Sequence, residues 1–139
     1  MDRWITEYVI TLEGLNRDNL ASLLEIIHDD FDFKDPFNHT YTRDDFIAIL
    51  DDMYSKLDQI IFNVDQVMVE EKQAMIYWRY SATSSLTGDI NFSGTSLIKA
   101  DEHGKVYFHH DYWDGSELLV KVPLIGKVVK FLRGKFSHQ

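Results

Sequence analysis

From Gln59 onward the apolar pattern of this 139-residue chain keeps a period of 2, and that lasting change limits the folds open to it. Before it, apolar side chains recur mainly at helical spacing, broken by one short strand. Trp4, Ile5, Tyr8, Val9, Leu12 and Leu15 mark an amphipathic helix over 2–15, and Leu20, Leu23, Leu24 and Ile27 mark a second, shorter one. Phe31 and Phe33 then alternate with Asp30, Asp32 and Lys34, the period of a half-buried strand, which Pro36 ends. Thr42 reads as the N-cap of a third helix, with Asp44 and Asp45 in its positive first turn and Phe46, Ile47, Leu50, Met53, Tyr54 and Leu57 buried. After Gln59 the period is 2. Ile60, Phe62 and Val64 alternate, and Val67 and Val69 continue one residue out of phase, so a bulge near Asp65–Gln66 should bend the strand.

Further strands are expected over 72–84, 89–100 and 105–114. Thr87-Gly88-Asp89 and Asp101-Glu102-His103-Gly104 connect them, with Gly104 suited to a left-handed hairpin position. Helices first and long antiparallel strands afterwards make an α+β domain, a curved sheet folded over helices. No internal repeat or linker divides it.

The chain is long enough to bury a core, and its 45% apolar content is that of a globular protein. It contains no cysteine, which excludes disulfides and thiolate metal sites and agrees with a reducing compartment. Asp2, Glu7 and Glu13 interrupt the apolar pattern of the first residues, so no signal peptide is expected there. No run reaches the eighteen apolar residues of a membrane span, and a cytoplasmic protein is expected. Residues 1–117 hold nine basic and twenty-three acidic side chains, a balance of −14. Such a body repels phosphate backbones, which argues against nucleic acid as a partner.

Asp35 stands before Pro36 and Phe37. A carboxylate beside apolar rings can shuttle protons, but an Asp-Pro pair also simply begins a turn. The segment Tyr107-Phe108-His109-His110-Asp111-Tyr112-Trp113-Asp114 is the most unusual. On a strand Tyr107, His109, Asp111 and Trp113 share one face, and His109 and Asp111 lie about 6–7 Å apart. Such a pair can hold an imidazole in one tautomer for acid–base work, or can be a polar pair inside a cavity or oligomer interface. His39, His109, His110, Asp111 and Asp114 are all metal-ligand types. Adjacent histidines face opposite sides of a sheet, however, and no His-x-x-x-His pair occurs, so neither metal nor cofactor is expected.

Residues 29–37 (DDFDFKDPF), 101–105 (DEHGK) and Tyr112-Trp113 together resemble the nuclear transport factor 2-like superfamily, nearest its SnoaL-like and ketosteroid isomerase-like branches. The resemblance covers residues 4–116. It implies a conical, strongly bent antiparallel sheet wrapped around helices (a cystatin-like fold), an internal pocket and commonly a homodimer, here through the outer sheet face. In ketosteroid isomerases the aspartate of the Asp-Pro pair is the general base, a role that would fall to Asp35. The strand aspartate of the oxyanion hole is replaced by Ser96, and the helix tyrosine falls near Thr11, with Tyr8 one turn away. Losing one oxyanion donor costs about 2.7–4 kcal/mol, so steroid isomerisation is not expected. SnoaL-like members tend to use polar residues on the last strand, which favours His109 and Asp111.

The same register puts Gly94, Ser96, Ile98, His109, Asp111 and Trp113 on the concave face, joined by Phe37, Tyr54, Trp78 and Tyr80. Asp35, His109 and Asp111 are the catalytic candidates; Phe37, Tyr54, Trp78, Tyr80, Ser96 and Trp113 are the candidate contacts of a small, mostly apolar or carbonyl-bearing molecule. An isomerase, cyclase or dehydratase using proton transfer is one reading; a ligand-binding or association module without turnover is the other. A packed core with no cavity is the alternative to a pocket.

The SnoaL-like region is expected over 1–116, followed by a basic amphipathic extension over 117–139. Residues 118–139 hold five basic and no acidic side chains. Pro123 could open a helix in which Ile125, Val128, Val129 and Leu132 share one side. Packing on the acidic body is expected in preference to contact with an anionic membrane surface.

Overall fold

Six strands and four helices build the chain, which the computed structural model describes over residues 2–137. The elements run α1 (Arg3–Glu13), a 3-10 turn (Leu20–Glu25), β1 (Ile27–Lys34), β2 (His39–Thr42), α2 (Arg43–Lys56), β3 (Asp58–Glu70), β4 (Gln73–Ser84), β5 (Gly88–Ala100), β6 (Val106–Tyr112), α3 (Ser116–Leu119) and α4 (Ile125–Phe136). The strands form one curved, open sheet in the order β2-β1-β6-β5-β4-β3.

Local signals placed most of these elements. The Thr42 hydroxyl accepts the Asp45 N–H at 3.2 Å and caps α2, and Asp44 and Asp45 lie in its first turn. The register of β3 on β4 slips between Val64 and Gln66, so Asp65 is the extra residue that throws Val67 and Val69 out of phase. Gly104 has φ +82° in the turn before β6, where the Asp101 carboxylate accepts the N–H groups of His103 and Lys105. Side chains at 74, 76, 78, 90, 94, 96 and 98 alternate onto the inner face of β4 and β5 and are buried there.

Trp4, Ile5, Tyr8 and Leu12 of α1 press on that face together with Ile27, Phe31 and Phe33 of β1. Each large apolar side chain so buried contributes about 1.5–3 kcal/mol.

Four details differ from the sequence reading. The second helix is a 3-10 turn, and Ile27 instead opens β1. A short strand, β2, follows the Pro36 turn and pairs with β1. Four of the five strand pairings are antiparallel, but β1 pairs with β6 in parallel. Such a pairing needs a long crossover, which α2 and the other strands supply.

The extension differs too. It forms two helices, and Pro123 precedes α4 by two residues instead of sitting in its first turn. Gly126 lies against the end of α3, where an added Cβ would stand 2.3 Å from the Val120 carbonyl oxygen. Ile125, Val128, Phe131, Leu132 and Phe136 are exposed, so the apolar side of α4 does not cover the acidic body.

Candidate functional site

A cavity of about 310 Å³ opens between α2, the inner face of the sheet and α3. Its walls are mostly apolar. Leu12 of α1 and Phe46, Ile49 and Leu50 of α2 face the aromatic side chains of β3–β6 across it. Phe92 stacks on Trp113 at 4.1 Å between centroids and on Tyr80 at 4.9 Å, making a continuous aromatic wall. Trp78 fits beside Trp113 only because position 94 is glycine: a Cβ there would lie 2.7 Å from the Trp78 indole and 2.8 Å from Trp113. Leu118 of α3 lines the cavity as well, and Gly115 just before α3 packs on Pro36 and Phe37.

Of the nine residues singled out in the sequence, eight line this cavity: Asp35, Phe37, Tyr54, Trp78, Tyr80, His109, Asp111 and Trp113. Ser96 does not. It is fully buried behind the wall, where its hydroxyl accepts the Trp78 indole N–H at 2.8 Å and donates to Asp111 Oδ1 at 2.5 Å. Ser96 therefore holds Asp111 and is no ligand contact.

Those bonds belong to a longer chain. His109 Nε2 lies 2.6 Å from Asp111 Oδ1, and the Tyr8 hydroxyl lies 2.6 Å from His109 Nδ1. Burial first, and the Asp111 charge second, push the Tyr8 phenol well above its usual 10. The Asp111 carboxylate can only accept, so the imidazole proton sits on Nε2, and Tyr8, which keeps its own proton, donates to Nδ1. Every donor then has an acceptor, from Trp78 through Ser96 to Asp111, and from Tyr8 through His109 to Asp111. His109 is clamped further between Phe33 at 5.7 Å and Phe46 at 6.4 Å.

Both donors that reach Asp111 use Oδ1. Among the described residues Oδ2 has no protein partner, and Asp111 keeps 18% of its side-chain surface exposed. One carboxylate oxygen is thus fixed by the scaffold and the other is left for whatever enters the cavity.

Asp35 shares the cavity but not this freedom. Its Oδ1 accepts the backbone N–H groups of Phe37 at 2.8 Å and Asn38 at 2.7 Å, and the Asn38 amide spans both oxygens at 3.2 and 3.3 Å. The carboxylate is built into the turn that Pro36 begins. Two phenols complete the lining. Tyr80 donates to the Met53 sulfur, a weak acceptor, at 3.3 Å, and Tyr54 makes a long bond to the Leu15 carbonyl at 3.3 Å; a ligand could replace either. Burial raises both phenols above their usual value, so they remain donors.

Tyr8 is the residue that sequence reasoning undervalued. It reads as one more apolar position of α1, and its partner lies 101 residues away. Thr11, the position nearest the isomerase tyrosine, turns its hydroxyl to the Glu7 carbonyl.

With this geometry in view, the comparisons are specific. The family model of the SnoaL-like domain matches residues 9–109, from the first helix through His109. The chain belongs to the SnoaL-like family. Solved structures place this SnoaL-like protein within the nuclear transport factor 2-like fold. A protein of unknown function with that fold from Burkholderia pseudomallei superposes with a TM-score of 0.76 at 13% identity, over 88% of this chain and 99% of the other. A ketosteroid isomerase-like protein from Catenulispora acidiphila, in complex with trimethylamine, gives 0.73 at 12% identity, over 89% and 95%. An epoxide hydrolase from M. tuberculosis gives 0.68 at 12% identity, over 94% and 93%. At these identities the likeness is one of fold. No curated protein sequence matches the chain. No helix among the described residues is long and apolar enough to cross a membrane.

Proposed function

We propose that this SnoaL-like domain binds a small, mostly apolar carbonyl compound and moves a proton on it, with Asp111 as the base. The free Oδ2 of a carboxylate otherwise fixed by Ser96 and His109 carries this reading. Held in that way, a carboxylate can take a proton from the carbon next to a carbonyl. The C–H electron pair moves into the enolate, whose oxygen accepts a hydrogen bond from Tyr80 or Tyr54 in place of its present weak one. Asp111 then returns the proton to a different carbon, giving an isomer, or to the same carbon, giving exchange only. His109 spends both ring nitrogens on Tyr8 and Asp111, so it and Tyr8, which does not line the cavity, act as positioning residues for Asp111. Trp78, Phe92 and Trp113 exclude water from the enolate.

The test is deuterium uptake in D₂O, followed by NMR over a panel of hydrophobic ketones. Uptake that the protein accelerates, that Asp111→Asn abolishes and that Asp35→Asn leaves within a few-fold supports this assignment. Uptake lost in Asp35→Asn and kept in Asp111→Asn contradicts it.

A second reading rests on a different observation. Asp35, Asp52 and Asp111 line the cavity beside aromatic faces, and among the described residues no lysine or arginine lines it, though Lys56 pairs with Asp52 at 2.9 Å. Such a wall also suits an alkylammonium group through cation–π contact. In that case tetramethylammonium quenches the tryptophan fluorescence saturably, no ketone exchanges, and the domain is a binding module.

A further inference from the structure

His109 points into the cavity, so His110 points out of the opposite face, and there it meets a second histidine. In the sheet order β2-β1-β6, Lys34 of β1 pairs with His39 of β2 on one side and with His110 of β6 on the other. The two histidines therefore flank one position of β1. Asp32, two residues earlier, shares that face. Its Oδ1 lies 2.9 Å from His39 Nε2 and 2.8 Å from His110 Nε2, and the three ligand atoms all fall within 4.8 Å of one another.

We propose that Asp32, His39 and His110 form a three-ligand site for a divalent transition ion such as zinc, with a fourth position open to water. Zinc binds imidazole nitrogen at about 2.0–2.1 Å and carboxylate oxygen at about 2.0–2.2 Å, so ligand atoms in a tetrahedral site stand roughly 3.3 Å apart. The present separations from Asp32 are a few tenths of an ångström shorter, and the two histidine nitrogens, within 4.8 Å of each other, close on the ion by side-chain rotation.

The ligands come one from each of three adjacent strands, so the backbone fixes their spacing. The rings are already set for different directions of approach: His39 and His110 stand edge to face, at 84° and 5.5 Å between centroids. His110 is stacked on Phe108 at 3.9 Å, and the Tyr41 hydroxyl lies 3.4 Å from His39 Nδ1.

The tautomers also agree. Today both Nε2–H groups donate to Asp32. When a metal takes the Nε2 lone pairs, the imidazole protons move to Nδ1, and Tyr41 can accept the one on His39, the outer-shell contact that histidine ligands commonly have. Nitrogen and oxygen ligands in this set favour zinc, cobalt, nickel or copper over magnesium or calcium, which need more oxygens. Lys34, in the row between the histidines, is the one cation on this stretch of β1 and limits affinity without removing a ligand. The site faces away from the cavity and is independent of the chemistry proposed there.

The experiment uses the full chain after chelator treatment, titrated with Co²⁺ in the visible range and then with Zn²⁺ as competitor. One equivalent of Co²⁺ should develop an intense d–d band of low coordination number, which one equivalent of Zn²⁺ abolishes. Asp32→Asn and His110→Gln should each weaken Zn²⁺ binding more than tenfold, since loss of an outer-shell partner alone costs about that much. His103→Gln, on the exposed turn before β6, should leave it unchanged. Should His110→Gln fail to fold, His39→Gln on the short edge strand must show the same loss. A faint octahedral Co²⁺ spectrum, or Zn²⁺ affinity equal in the wild type and these variants, overturns the proposal.

Discussion

Tyr8 is the residue on which the site's order depends most. Its hydroxyl satisfies Nδ1 of His109, the nitrogen left as acceptor once Nε2 presents its proton to Asp111. Tyr8→Phe leaves the ring packed but strands Nδ1 as a buried acceptor. The expected cost is about 1–3 kcal/mol, the penalty of an unsatisfied buried polar group, read from urea unfolding. The ¹⁵N shift of His109 Nδ1 should move as well, because that nitrogen loses its only hydrogen bond among the described residues while Asp111 still holds the Nε2–H. Gly94 is the second sensitive position. Gly94→Ala drives a methyl group into Trp78 and Trp113. We expect a loss of about 1–3 kcal/mol, typical of overpacking, together with a changed tryptophan emission spectrum as the indoles give way.

Elements were legible wherever their signal is local. The Thr42 cap, the Asp65 bulge and the Gly104 turn each need only a few neighbouring residues, and each stands where the sequence puts it. Thr42→Ala should therefore cost about 1 kcal/mol by thermal or chemical unfolding, with no change at the cavity. Alternation also put His109, Asp111 and Trp113 on one face, because period 2 fixes the face once the strand is known. What the sequence hid is non-local. Nothing near β1 signals its parallel pairing with β6, and nothing near Asp32 shows that His39 and His110 reach the same oxygen. The role of Asp35 was open for a related reason. Asp-Pro fits a proton shuttle and a turn equally well until the Phe37 and Asn38 N–H groups are seen on its oxygen. Ser96 was misplaced as a contact because a face does not reveal depth: inward on β5 means behind Trp78, away from the void.

At the scale of the whole molecule, acidic side chains dominate, and several are tied into the fold. Burial alone would raise the Asp101 carboxyl, but the N–H groups of Lys105 and His103 outweigh it and hold the group below its ordinary 3.8. The Ser116 hydroxyl and then its N–H hold Asp114 low as well, against slight burial. A carboxyl whose folded value is depressed stabilises the fold fully above its unfolded value. That contribution fades as pH falls through the folded value. The contribution of these two carboxyls to the melting temperature should therefore be lost on acidification below about pH 4. Asp101→Asn should reduce that loss.

The central claim is that Asp111, and not Asp35, presents the cavity's working oxygen, and a pair of probes tests it without knowledge of the natural ligand. 2-Naphthol can donate a hydrogen bond to a carboxylate; its methyl ether, of nearly the same shape, cannot. Titration by tryptophan fluorescence should show wild type and Asp35→Asn preferring the naphthol about tenfold, a difference of about 1.4 kcal/mol. In Asp111→Asn that preference should shrink to about threefold or less, since the charge-assisted bond is gone. A preference that survives Asp111→Asn, or one that disappears in Asp35→Asn instead, would contradict the account.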